Sequence, residues 1–239
     1  MDVPSTVTAA LADRPVEGAV CLEAGAGVGN TSAGLLAAGA DRVYAITNDV
    51  EHATVVRERV GRDDPDRIAV IEADLSSVPL ADDSVGIITA HGLFNVLDPS
   101  VLEPVVAELT RVTAPGCHLV VDDYEPLPDG AAVADLFAVE NAATQLAENR
   151  PALTFYPAPV LRRLLVGHGW EFERERTLLD PVPWTANHLE AHADVTRSAA
   201  SELPDDLGER LTAEVERLAT EIGGESAGRM YSLALRLPV

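Results

Sequence analysis

The stretch that decides the fold is Ala19-Val20-Cys21-Leu22-Glu23-Ala24-Gly25-Ala26-Gly27-Val28-Gly29-Asn30-Thr31. A short apolar run ends in an acid, glycines follow at alternate positions, and a helical pattern starts at Thr31. The order reads as strand, tight loop and helix. Glycine suits places where φ must be positive or where a ligand comes close to the backbone. The dinucleotide fingerprint G-x-G-x-x-G uses its third glycine to pack helix against strand. Counted from Gly25, Asn30 stands at that place here. An acid directly before the loop suits a ligand with an ammonium group and no pyrophosphate. A loop of this kind, taken alone, also fits a strand–helix turn that binds nothing.

Outward from the loop, strand and helix signals alternate. Strands are expected over 19–22, 42–46, 67–71, 85–90 and 118–121, and helices over 31–38, 50–60 and 101–112. Gly39 and Gly61 stand where helix ends favour glycine, and Pro115-Gly116 is expected to end the third of these helices. The strand runs are short and continuously apolar, as for parallel strands buried on both faces. Such a β/α alternation predicts a doubly wound sheet with its ligand at the carboxyl ends of the strands. The rhythm then changes. Helices are expected over 130–149, 159–167, 189–200 and 207–222, a sixth strand over 171–178, and a seventh over 231–237. The proline-rich patches around 126–128 and 181–183 read as loops inside one domain spanning 1–239. Its core would be 15–125, 157–180 and 229–238, with helical insertions at 130–156 and 184–222.

The chain has 239 residues, enough for one α/β domain with a substantial core. Arginine supplies all 17 cations against 39 acids, for a net charge of −22. That balance excludes a phosphate-backbone partner, which cationic side chains would have to neutralise. Dense carboxylate without lysine reads as a salt-adapted, halophilic protein, in which salt screens the self-repulsion. An acidic protein from a GC-rich genome has the same composition. Cys21 and Cys117 lie in apolar runs without partners at metal-ligand spacing, so they are expected as small buried hydrophobes, and no metal site is expected. The amino terminus has no basic and apolar leader pattern, and no apolar run reaches membrane-spanning length. A cytoplasmic protein with no membrane partner is therefore expected.

The run Glu23–Gly29 resembles motif I of the class I S-adenosylmethionine (SAM)-dependent methyltransferases, E/D-x-G-x-G-x-G. Further short motifs follow in the family's order. Pro65-Asp66-Arg67-Ile68 to Glu72-Ala73-Asp74-Leu75 is similar to the third strand and the acid after it. Val78-Pro79-Leu80-Ala81-Asp82-Asp83-Ser84-Val85 is similar to the approach to strand four, and Arg111-Val112-Thr113-Ala114-Pro115-Gly116 to the turn before strand five. The resemblance implies a Rossmann-like α/β fold with a doubly wound seven-stranded sheet and a helical lid. It implies SAM as cofactor and S-adenosylhomocysteine (SAH) as product. It places Glu23 as organiser of the loop near the methionine ammonium, with Gly25, Ala26 and Gly27 bringing the backbone to the cofactor. Asp74 would hold the adenine amine, Leu75 the adenine ring, and His91 would lie near the methionyl end. Thr47 stands where the family usually has an acid for the ribose, so Thr47, Asn48 and Asp49 share that expectation.

Methyl transfer from a sulfonium is an in-line displacement, in which an enzyme contributes proximity, alignment and exclusion of water. The sequence dictates no general base. Acceptor contacts are expected beyond the fourth and fifth strands, from Asn95, Asp122, Asp123, Tyr124, Glu140, Asn141, Phe155 and Tyr156. An acidic turn accounts equally for Asp122 and Asp123, and an exposed helix face for Glu140 and Asn141. The expected acceptor is a small molecule, with a homodimer left open. The competing functions are an NAD-dependent oxidoreductase on a related fold and a non-catalytic SAM-binding protein.

Overall fold

Cys21 and Leu22 are neighbours in sequence, both buried, and belong to hydrophobic clusters on opposite faces of one sheet. That two-sided burial is what the continuous apolar runs anticipate. In the computed structural model, which describes residues 3–239, the chain runs α1 (Ser5–Leu11), β1 (Val20–Ala24), α2 (Asn30–Ala37), β2 (Arg42–Thr47), α3 (Val50–Arg59), β3 (Ile68–Glu72) and β4 (Val85–His91). It continues through α4 (Leu102–Val112), β5 (Thr113–Tyr124), α5 (Val133–Glu148), α6 (Ala158–Gly167), β6 (Glu171–Leu179), β7 (Pro183–Trp184), α7 (Ala186–Ser201), α8 (Asp205–Ile222), β8 (Glu225–Ser226) and β9 (Met230–Arg236). The amino-terminal stretch read for a leader begins outside the described residues, at 1 and 2. Among those described, no helix is long and apolar enough to cross a membrane.

The main sheet has seven strands in the order β3-β2-β1-β4-β5-β9-β6. β1 to β5 are parallel, and β9 is inserted antiparallel between β5 and β6. One face is covered by α4 and α6, whose Val105, Leu109, Leu161 and Leu165 pack on Leu22, Ile88 and Leu119. The other is covered by α1, α2 and α3, through Val7, Leu11, Leu35 and Val56. Each such side chain taken from water contributes about 1.5–3 kcal/mol. The strand order reverses between β1 and β4, so a crevice opens where their carboxyl ends diverge.

Several expectations are corrected. β1 continues through Glu23 and Ala24, carrying the acid at its end and not after it. β5 spans Thr113–Tyr124, so Pro115-Gly116 lies inside a strand. A shift in its pairing with β4, from Val85↔Thr113 to Ile87↔His118, absorbs the extra residues. α1 has only two turns, too short for its period to be read. α5 begins at Val133 and not at 130, because the Glu225 carboxylate accepts from the Ala132 and Val133 amides at 3.1 and 2.8 Å.

The helices outside the alternating pattern form their own core. Val133, Leu136 and Phe137 of α5, Leu189 and Ala193 of α7, and Val215 and Leu218 of α8 pack with Val182, Trp184 and Met230. The pair β7–β8 ties this layer together. Cys21 is buried as expected, whereas Cys117 is only half-buried; both are free thiols.

Candidate active site

The glycine loop is docked on the end of β2, where the Ile46 carbonyl accepts from the amides of Gly25 and Ala26 at 3.0 and 2.9 Å. Its glycines serve different ends. A Cβ on Gly25 would come within 2.8 Å of Leu93 Cδ1, and one on Gly29 within 2.9 Å of Val60 Cγ2, so both are packing positions. Gly27, at φ +47°, faces open space, with nothing nearer to an added Cβ than the Gly25 carbonyl at 4.0 Å. Among the glycines of this loop it is Gly27 that leaves room for a ligand against the backbone.

Glu23 is buried, and its Oε2 accepts from the Ser32 amide at 2.8 Å and from the Ser32 hydroxyl. It thereby holds the first turn of α2, where unpaired amides favour a carboxylate. Burial pushes its carboxyl up to about 7, against the opposing pull of the Ser32 bonds and of His91. His91 Nδ1 lies 3.2 Å from Asp122 Oδ2. Burial disfavours the imidazolium, but Asp122, Glu23 and Asp123 outweigh it and raise the His91 pKa. Asp122 Oδ1 is buried with no hydrogen-bond partner. Asp123 accepts from the amides of Asn95 at 3.1 Å and Tyr124 at 2.8 Å, and burial pushes it up to about 7. The ends of β1, β4 and β5 thus converge on three buried carboxylates and one histidine, an excess of negative charge suited to a cationic ligand group.

Along the crevice, Thr47 is buried with its hydroxyl accepting from the Asp49 amide at 3.1 Å, while Asn48 is exposed. Asp49 caps α3 through the His52 amide at 2.9 Å. Asp74 is exposed, and its Oδ1 accepts from the Ser76 amide and hydroxyl, both at 2.7 Å. These bonds hold its carboxyl below the usual aspartate range. Leu75 is buried beside it.

A second space of about 200 Å³ opens beyond β4 and β5. Asn95, Tyr124, Phe155, Trp184, His188 and His192 are among its walls. Tyr124 and Trp184 ring centroids are 5.3 Å apart, and those of Phe137 and Trp184 are 5.1 Å apart. Three of the expected acceptor residues, Asn95, Tyr124 and Phe155, therefore come together. Others do not. Tyr156 packs against the main core, and its carbonyl accepts from the Tyr231 hydroxyl at 2.8 Å. Asp123 is spent on backbone amides. Asn141 clamps Leu153 through bonds of 3.1 and 2.8 Å. Glu140 is neither a cavity wall nor an exposed face: it is buried behind His192, with Oε2 at 2.8 Å from Nδ1. His192 and Trp184 were not among the expected residues, because their meeting with Glu140 and Tyr124 depends on how α7 packs on α5. A larger cleft of about 510 Å³, lined by Leu11, Gly34 and Ala38, lies at the opposite, amino-terminal end of β1.

Comparison with known proteins bears on the family and the fold. Residues 21–116 match the family model described as a methyltransferase domain. A demethylmenaquinone methyltransferase from Clavibacter sepedonicus is 36% identical over 115 residues, covering 48% of this chain and 44% of that protein. The chain thus matches less than half the length of this curated relative. A putative methyltransferase from Bacillus halodurans superposes with a TM-score of 0.67 at 14% identity, covering 99% of this chain and 100% of that one. A geranyl diphosphate methyltransferase solved with SAM gives 0.62 at 14% identity, covering 97% and 84%. Residues 21–116 accordingly match a methyltransferase domain, within a chain that has the class I methyltransferase fold.

Proposed function

We propose that this chain is a SAM-dependent methyltransferase acting on a small-molecule acceptor, and that its length works as one domain with the helices of 130–156 and 184–222 as insertions. The observation that carries the reading is the open space at Gly27 beside the buried carboxylates, including the unpartnered Asp122 Oδ1. A ligand with an ammonium and a sulfonium meets both features. The residues present fit SAM: the backbone of Gly25–Gly27 for its methionyl part, Asp122 and His91 near its charged end, Asn48 and Asp49 at the rim for the ribose, and Asp74 and Leu75 for adenine. When bound, SAM supplies an electrophilic methyl group on sulfur.

The protein's own share is positional. Glu23 keeps α2 and the loop in register, and Asp123 holds the Asn95 backbone at the edge of the second space. The layer of α5, α7 and α8 covers the acceptor side and keeps water away. Bulk acidity argues against a nucleic-acid acceptor, and a cavity of about 200 Å³ favours a small one.

Calorimetry with SAH and with NAD, in molar potassium chloride, tests the reading. SAH should bind and NAD should not. Gly27→Val should abolish SAH binding while circular dichroism shows the fold retained. Unchanged SAH affinity in that variant overturns the proposal.

A further inference from the structure

We propose that His192, held by Glu140, is the general base of the acceptor cavity, and that the acceptor is a small aromatic molecule whose hydroxyl gives up its proton there. This rests on the methyl-transfer reading above. The cavity has aromatic walls in Tyr124, Phe155 and Trp184, and a volume of about 200 Å³. Flat rings stack against such walls with edge or offset geometry. Asn95 lines the cavity, and its Oδ1 is buried with no hydrogen-bond partner, so it is a hydrogen-bond acceptor in want of a donor. A polar hydrogen of the methyl acceptor other than the one passed to His192 supplies it.

The titratable groups at the cavity are Tyr124, His188 and His192, with Glu140 behind. Burial pushes the Tyr124 phenol up to about 12, so it stays protonated and is no base. His188 is exposed, and its Nδ1 already takes part in capping α7, accepting from the Thr185 amide at 3.2 Å beside the Pro183 carbonyl. His192 differs. Its Nδ1 is 2.8 Å from the buried Glu140 carboxylate, which is an acceptor only and so selects the tautomer with the proton on Nδ1. The Nε2 lone pair is then free. Phe137 packs against the ring at 4.6 Å between centroids and fixes its plane. The side chain keeps 23% of its surface exposed, while that of Glu140 keeps 3%. A carboxylate that orients and stabilises an imidazolium is the arrangement a general base needs.

The step balances simply. The acceptor hydroxyl gives its proton to Nε2, making imidazolium. Its oxygen uses an electron pair to bond the methyl carbon as the carbon–sulfur bond breaks with its pair left on sulfur. The imidazolium later returns the proton to water. Glu140 is a positioning residue in this scheme, since it touches His192 and not the acceptor.

The test uses 4-nitrophenol as probe, because its phenol and phenolate forms absorb at different wavelengths. Difference spectra of the full chain saturated with SAH, in molar potassium chloride, should show bound phenolate about one pH unit below the ionisation of the free dye. In His192→Asn the bound dye should remain phenol at that pH, and in Glu140→Gln the phenolate fraction should fall between the two. Circular dichroism on the same variants establishes that they fold. Absence of dye binding, or a phenolate fraction equal in wild type and His192→Asn, overturns the proposal. SAH calorimetry on the same samples separates the two readings: SAH that binds while the dye ignores His192 overturns the base alone, and SAH that fails to bind overturns the methyl-donor reading.

Discussion

Replacing Glu23 by glutamine should make the unliganded protein more stable at high pH while removing its function. The wild-type carboxyl, buried at the end of β1, has its pKa pushed from 4.5 to about 7. A group whose pKa is raised on folding contributes stability that is full below its unfolded value and is lost as pH rises through its folded value. The Glu23 contribution is therefore complete below pH 4.5 and gone above about 7. Glutamine has no such loss, and its side-chain oxygen still accepts from Ser32. Between about pH 5 and about pH 8 roughly two pKa units are crossed, so Glu23→Gln should gain about 3 kcal/mol relative to wild type over that interval. Any fixed cost of the new NH₂ group cancels, because it is the same at both pH values. Asp123 cancels too, being present in both proteins. Urea denaturation of the unliganded proteins at the two pH values, in molar potassium chloride, reads the difference. SAH binding, measured in parallel, should be lost in the variant, since the carboxylate that balances a cationic ligand has gone. An offset between wild type and Glu23→Gln that is the same at both pH values would refute the reasoning.

Asp74→Asn keeps an acceptor for the Ser76 turn but removes the charge, and should weaken SAM by about 1.5–3 kcal/mol, less for a purine analogue lacking the exocyclic amine; calorimetry that finds equal losses would make Asp74 structural. Phe155→Ala should slow methyl transfer and leave SAH affinity nearly intact, as it removes a cavity wall. Tyr156→Ala should instead lower stability by about 2 kcal/mol, because that ring packs on the main core; melts and transfer assays on both variants separate the effects. Melting temperature should climb steadily from dilute buffer into molar potassium chloride as the Debye length falls from about 30 Å to about 3 Å, and a flat curve would contradict the salt-adapted reading.

The parts of this protein legible in its sequence are those made by local chemistry. The Glu23–Gly29 loop, the alternation of β and α, and the acid at Asp74 are each written in consecutive residues. A strand buried on both faces needs an unbroken apolar run, and a loop open to a ligand needs glycine wherever a Cβ would intrude. Such constraints act over a few residues, so they survive as patterns. Element ends were less legible where a distant side chain sets them, as Glu225 does for the start of α5. The same holds where a shift in strand pairing hides a strand's length, as in β5. The acceptor side was legible only in fragments. Asn95 and Tyr124 could be named because they stand just past the end of β4 and at the end of β5, and Phe155 because it falls in the segment between the fifth strand and the next helix of the alternating pattern. His192 could not, because it meets Glu140 across 52 residues only once α7 packs on α5. Tyr156 was misplaced because adjacent residues outside a regular strand or helix carry no rule for which side they face. Local propensity and spacing determined the sheet and the glycine loop; burial, resolved only when the helices closed over the sheet, decided which carboxyls are pushed up in pKa, which histidine meets Glu140, and where a cavity opens beyond β4 and β5.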